Sequence, residues 1–576
     1  MLLFWFLLAS TINSGFLKNF GADALFFSPE YLGKVNLWGA LFTGVALGVF
    51  IMSWNVTTFI LHTKRFKFLA TTATPFFKYC LNNAILPLLF IIFYFIRLYQ
   101  FDDYRELMTT LEVLTELAGI SLGFILLLFV SFIYFFRAEK IIVRRIAPIV
   151  GNPELFKKTF TGKHHSDEFG LKVSYYITGR LHARQVRSVN HYRQDFIDHI
   201  FKRHHIAAIA SMLLSFVFLV LIGFLLENKY FEMPAAASVL VFFAIMIAVI
   251  GALTYFLQSW SLPAAIFLII ILNFLYKKEI IDPRNKAYGL DYTSRNKPDR
   301  PEYNKHSLQS LCSADKIASD KLSMINVLNK WKDRQGQEKP LMFFINVSGG
   351  GLRSATFVMN ALQKLDSLSD GEITKHTFLI SGASGGMLAA TYYRELCRLK
   401  LRNPALELNK KAYTDNISRD LLNPVFTSMI ARDIFAPVQK FSVGDFEYVK
   451  DRGYAFEKKL ADNTDGLLNV QMKDIAADET NGLVPLIIFN SVIKSDGRKM
   501  MISSQPLSFM MKPSFLQRDS TSNPDAVDFS ALFSKQQPGN LRILTALRMN
   551  ATFPYILPNV WLPSEPVIDV MDAGLR

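Results

Sequence analysis

The sequence predicts a chain of two classes: an N-terminal α-helical transmembrane bundle followed by a C-terminal α/β domain. Three observations carry this. Apolar stretches of membrane-spanning length recur up to residue 276 and then stop. A polar stretch, 277–339, follows. Beyond it, short strand-like apolar runs feed into glycine clusters that open helix-like segments.

Composition agrees with the first part. Of 576 residues, 51% are hydrophobic, 14% are aromatic and 51 are phenylalanine, more than a water-soluble core needs. The mean hydropathy is +0.22. The six expected spans lie at about 35–61, 80–99, 117–136, 206–226, 234–256 and 261–276. Pro87 falls inside the second, where neighbouring helices re-satisfy the freed carbonyl. Residues 2–10 are apolar without a positive leader, which favours an uncleaved interfacial or partly inserted helix over the alternatives of a signal peptide or a seventh span.

The net charge of +15 is spread out and accompanies no nucleic-acid motif, so it excludes a nucleic-acid-binding reading. Basic loops against anionic lipid headgroups account for it, above all loop 137–205. Lys64, Arg65, Lys67 and Lys78 also place loop 63–79 inside, whereas Asp102, Asp103, Glu106, Glu112 and Glu116 place 100–116 outside. Three further spans would leave the C-terminal domain outside. Lys277, Lys278, Arg284, Lys286, Arg295 and Lys297, abutting the last span, favour a cytoplasmic domain and one re-entrant segment. His164, His165, His182, His191, His199, His204 and His205 crowd loop 137–205, but no pair has i,i+4 spacing with an interposed glutamate, so no metal site is expected. Cys80, Cys312 and Cys397 are scattered and imply no disulfide framework. The expected domains are 1–276, a linker 277–339 carrying an amphipathic helix from Ser313 to Arg334, and 340–576.

The chemistry lies in the last of these. Leu341–Val347 runs into Ser348-Gly349-Gly350-Gly351-Leu352-Arg353, and Thr377–Ser381 runs into Gly382-Ala383-Ser384-Gly385-Gly386. About 28 residues separate the two motifs, enough for one crossover helix. A serine on a strand-to-helix turn exposes its hydroxyl at the edge of a sheet, and a neighbouring glycine run offers bare N–H groups to a developing oxyanion. The pattern is that of a serine acyl hydrolase. A Ser-His-Asp triad is not expected within this chain, because no histidine follows Ser384. His376 lies at the far end of the preceding strand, which at ~3.3 Å per residue puts it well over ~10 Å away. The remaining base is Asp572, which follows the apolar run Val567–Met571 and opens Asp572-Ala573-Gly574.

The order G-G-G-x-R, G-x-S-x-G, D-x-G resembles that of the patatin-like phospholipases, relatives of the cytosolic phospholipases A. The similarity covers roughly residues 340–576 and includes Asp451-Arg452-Gly453 and Ala551-Thr552-Phe553-Pro554. It implies a modified α/β-hydrolase sandwich with Ser384 as nucleophile and Asp572 as its base. It implies an oxyanion hole on the loop Gly349, Gly350 and Gly351, with the N–H groups of Gly350 and Gly351 as donors and Arg353 as the basic residue ending the loop. No cofactor or metal is implied. The dyad motif reads D-A-G where D-G-G or D-G-A is commoner. The chain stops two residues after Gly574 where family members continue, so the sequence is expected to be a fragment. The function implied is a membrane-anchored lipid acyl hydrolase acting on phospholipids or other acyl esters. The alternatives are a lipid transacylase using the same dyad, and a membrane scaffold or sensor whose hydrolase domain is inactive.

Overall fold

The structure, a computed structural model, describes residues 1–13, 22–63, 66–150, 154, 173–187, 189, 201–202, 205–206, 209–210, 213–214, 216–217, 220–221, 223–277, 284–292, 299–433, 439–517, 519, 521–552 and 556–575. It divides into two compact units, Met1–Ile281 and Asp282–Arg576.

The first unit is helical. Its helices are α1 (Leu2–Ile12), α2 (Ala22–Phe27), α3 (Leu37–His62), α4 (Ile85–Tyr104), α5 (Thr110–Val150), α6 (Ala235–Leu257) and α7 (Ser261–Lys277). Among the described residues, four helical stretches are long and apolar enough to cross a membrane: 37–62, 85–104, 110–137 and the 43 residues of 235–277. The last is broken at Gln258–Trp260, where Gln258 has φ +46°, so it comprises both α6 and α7. The expected span at 206–226 lies in part outside the described residues.

α3 is the axis of this unit. Gly44 and Gly123 let α3 and α5 touch backbone to backbone: a Cβ at Gly44 would lie 2.1 Å from the Ile120 carbonyl oxygen, and one at Gly123 2.2 Å from that of Leu41. Small residues permit such approach where lipid supplies no hydrophobic drive between helices. α1 packs on this bundle through Trp5, whose ring meets Phe50, Trp54 and Phe90 edge-on.

Two sequence expectations change here. Pro87 lies in the first turn of α4, not in mid-span, and there its missing N–H removes no bond. The basic segment from 137, read as a partly helical loop, begins as a continuation of α5 up to Val150, and the rest of it up to residue 205 lies largely outside the described residues. The acidic segment 100–116 is not a solvated loop throughout, since Asp102 on α4 and Glu116 on α5 are buried together while the chain turns between them. Of the histidines, His164, His165, His191, His199 and His204 lie outside the described residues. His205 is buried against the Tyr255 hydroxyl at 3.0 Å. Among the described residues no metal-binding cluster occurs.

The second unit is built on a seven-stranded mixed sheet: β1 (Phe343–Val347), β2 (Thr377–Gly382), β3 (Leu486–Ile493), β4 (Lys499–Ile502), β5 (Ala526–Asp528), β6 (Val560–Leu562) and β7 (Ile568–Met571). Strands β1, β2 and β3 run parallel. β4 pairs antiparallel with β3 and parallel with β5. β7 pairs antiparallel with β3 and with β6.

The register of β3 decides the site. Phe489 pairs with Ile502 of β4 and with Gly382 of β2, so β2 and β4 lie on opposite edges of β3. Val492 pairs with Lys499 of β4 and with Met571 of β7, so β7 lies on the same edge as β2. β2 runs with β3 and β7 runs against it. Their C-terminal ends therefore point at each other along one edge.

Helices cover both faces. α8 (Ala314–Gln335) is capped by Ser313 and ended by Gly336 at φ +64°. Val327 and Trp331 of this helix pack on Phe378 and Leu486 of β2 and β3. The expected amphipathic helix thus belongs to the second unit. So does most of the segment read as a linker, since Asn285 and Pro301 accept backbone bonds from Trp561 and Glu565 at 2.8 and 2.9 Å. α9 (Gly351–Leu368) crosses from β1 to β2, and α10 (Ser384–Arg402) leaves β2 and is buried almost throughout. Arg394 of α10 is wholly buried, paired with Glu395 beside it and with Glu479 at 2.6 Å.

Candidate active site

Ser384 is the first residue of α10, two residues after β2 ends, and it has φ +53°. A side chain larger than glycine pays a steric penalty there, so the turn holds only because its surroundings fix it. The fixing element is the loop after β1. A Cβ at Gly385 would come within 2.0 Å of the Gly351 carbonyl oxygen, so only glycine admits the two loops at this spacing. A Cβ at Gly349 would sit 3.1 Å from the Ser384 Cβ and 3.7 Å from its Oγ, which places the glycine loop directly beside the hydroxyl.

Gly350 and Gly351 have φ of +138° and +62° and form the cap and first residue of α9. No acceptor among the described residues is paired with their N–H groups. They open a helix N-terminus, whose partial positive charge adds to what those groups offer an anion. Arg353 stands exposed in the first turn of α9. It borders an open groove with Leu352, Thr356, Phe357, Asn360 and Ser418.

Asp572 follows β7, and it is buried. The Ser384 side chain lies near enough to this carboxylate to favour its ionised form. The N–H of Gly574 donates to its Oδ1 at 2.7 Å, and its own N–H donates to the Thr552 carbonyl at 3.3 Å. Burial pushes the Asp572 carboxyl above its ordinary range, while the bond from the Gly574 N–H and the nearby Ser384 hydroxyl pull it back without cancelling the rise. A carboxylate held in this way is a stronger base than one in water.

Competing groups are occupied or distant. The Ser354 hydroxyl donates to the Ser348 carbonyl at 2.7 Å. The Ser381 hydroxyl donates to the Ile488 carbonyl at 3.1 Å. His376 is buried at the opposite end of β2 and meets Glu372 at 2.9 Å. Asp569 faces away, bonded by Asn559 at 2.7 Å and paired with Lys494 at 3.5 Å.

The structure thus brings together Ser384, Asp572, Gly349, Gly350 and Gly351. The remaining motif residues divide. Asp451 caps the helix α11 (Arg452–Asn463) and accepts bonds from Asn285 and Tyr288 at 2.6 and 2.5 Å, a buried structural junction. Thr552 touches Asp572 through its carbonyl, whereas Phe553 and Pro554 lie outside the described residues. Sequence reasoning missed Asn490 and Asn550, whose amides lie under the serine turn. No local pattern marks either of them.

Compared with protein-family models, curated proteins and solved structures, the chain matches none.

Proposed function

We propose that this protein is a membrane-anchored serine acyl hydrolase of the patatin-like phospholipase kind, acting on lipid esters. One observation carries the reading: a serine held left-handed on a strand-to-helix turn stands near a buried aspartate and beside a glycine loop whose Gly350 and Gly351 N–H groups have no acceptor among the described residues. In the first half-reaction Ser384 Oγ attacks the ester carbonyl carbon and its proton passes to Asp572. The carbonyl oxygen takes the negative charge and is held by the N–H groups of Gly350 and Gly351. Collapse of the tetrahedral intermediate breaks the ester C–O bond, and Asp572 returns the proton to the departing alcohol. Water then attacks the acyl-serine with Asp572 again as base, which releases the fatty acid and restores the hydroxyl.

The four apolar helical stretches support an integral membrane protein that passes the bilayer several times, which confines the enzyme to the surface where its esters lie. We place the second unit in the cytoplasm. α7 has 17 residues, ~26 Å at 1.5 Å per residue, which is short of a ~30 Å hydrocarbon core and suits a re-entrant segment.

The test is covalent labelling of the full chain with a fluorophosphonate, followed by peptide mapping, alongside turnover of a p-nitrophenyl acyl ester. Label on Ser384, and loss of both label and turnover in Ser384→Ala, are expected. Label that persists in Ser384→Ala, or a wild-type protein that neither labels nor turns over, would overturn the proposal.

A further inference from the structure

Two buried amides lie beneath the serine turn. Asn550, at the end of the helix α12 (Ile543–Asn550), is fully buried. Its Nδ2 donates to the Gly382 carbonyl at 2.9 Å and to the Asn490 carbonyl at 2.7 Å. The Nδ2 of Asn490, on β3, donates to Ser381 Oγ at 2.9 Å and to the same Gly382 carbonyl at 3.3 Å. On the other side of that peptide, the Ala383 N–H donates to the Val347 carbonyl at 3.0 Å.

We propose that Asn490 and Asn550 are positioning residues that lock the Gly382–Ala383 peptide, and through it hold Ser384 in its left-handed backbone; this rests on Ser384 being the nucleophile. The peptide is gripped at both ends, by two amide donors on its oxygen and one carbonyl on its nitrogen, and cannot rotate without breaking three bonds. Strained backbone persists only where its surroundings over-determine it. Were this peptide free to turn, Ser384 would relax toward negative φ and carry its hydroxyl away from Asp572 and the glycine loop.

The chemistry requires an amide. Both acceptors of the Asn550 side chain are carbonyl oxygens, so the nitrogen must face them; the flipped amide would set oxygen against oxygen. Its Oδ1 is buried with no hydrogen-bond partner among the described residues, so Asn550 is kept for what it donates. The same short segment registers the other half of the dyad, because the Thr552 carbonyl accepts the Asp572 N–H. One helix end therefore sets both the turn that carries the serine and the strand end that carries its base.

The experiment compares full-length wild type with Asn550→Ala, Asn490→Ala and Asn550→Asp in detergent. It reads kcat and KM on a p-nitrophenyl ester and the second-order rate of fluorophosphonate labelling. Asn550→Ala is expected to lower kcat and the labelling rate together by about 10- to 100-fold, the range for a misplaced catalytic group, with KM and the stoichiometry of labelling unchanged. Asn490→Ala, which leaves the Asn550 bond in place, is expected to lose less, and it carries the test if Asn550→Ala does not fold. Asn550→Asp adds a readout that mere packing would not move. Only a protonated carboxyl can donate to Gly382, so its rate relative to wild type at the same pH is expected to recover as pH falls. Variants that label at the wild-type rate while wild type labels on Ser384 overturn the clamp alone. So does a change confined to KM, or a flat Asn550→Asp ratio. Wild type that fails to label on Ser384 overturns the nucleophile assignment instead.

Discussion

Asp572→Asn separates the catalytic and structural demands on one residue. The substitution keeps the side-chain shape and an oxygen to accept the Gly574 N–H at 2.7 Å. With its oxygen held by Gly574, the amide presents its nitrogen on the other side, a donor that cannot take the Ser384 proton. The serine loses its base, and the loss for general-base catalysis is ~10²–10⁴-fold in turnover, or about 2.7 kcal/mol at the lower end. Stability should move the other way. Burial raises the Asp572 carboxyl above its unfolded value. A group raised in the folded state contributes stability that is present below the unfolded pKa, near 3.9, and is lost as pH rises through the folded one. At neutral pH the ionised side chain is therefore a burden to the fold, and asparagine removes it. Asp572→Asn should melt higher than wild type at pH 7–8, by on the order of 2 °C per kcal/mol for a unit of this size, and the gap should close toward acid. Wild-type turnover should fall with acidification above the ordinary carboxylate range. Ester turnover and thermal melting across pH read all three. Unchanged turnover in Asp572→Asn would refute the dyad, and a lower melting point at neutral pH would refute the assignment of a buried, destabilising charge. Asp569→Asn, facing away from the site, should keep most activity.

Gly385→Ala should cost more than Gly351→Ala in stability, measured by melting. Its Cβ would stand 2.0 Å from the Gly351 carbonyl oxygen, whereas one on Gly351 meets nothing and is strained only by φ +62°. Glu479→Ala should destabilise the second unit, because it removes one of the two carboxylates paired with the buried Arg394 and leaves Glu395, already shared with Arg398, as its counter-charge; chemical denaturation checks this. A cysteine in place of the exposed Asp299 should resist an impermeant maleimide in intact cells and react after lysis. The native Cys80, Cys312 and Cys397 are buried and leave a clean background. Labelling in intact cells would put the second unit outside.

What the sequence determined by itself is local. Span-length apolar runs mark membrane helices because every residue of the run contributes. The glycines around Ser348–Arg353 and Gly382–Gly386 mark turns because glycine most readily tolerates left-handed backbone and close chain approach, and the absence of histidine between Ser384 and Arg576 needs no geometry. What tertiary structure alone decided are the contacts between distant segments. Ser384 and Asp572, about 190 residues apart, meet because β3 carries β2 and β7 end to end along one edge. The break at Gln258, which divides one apolar run into two helices, depends on how its ends pack. Asn490 and Asn550 carry no signature, since an asparagine is ordinary in any sequence and acquires its role only from the carbonyls it is folded against. Asp102 and Glu116 read as solvated charges along the chain, and are buried because α4 and α5 close over them. Periodicity and backbone preference are written residue by residue; register and partners are set only when the sheet forms.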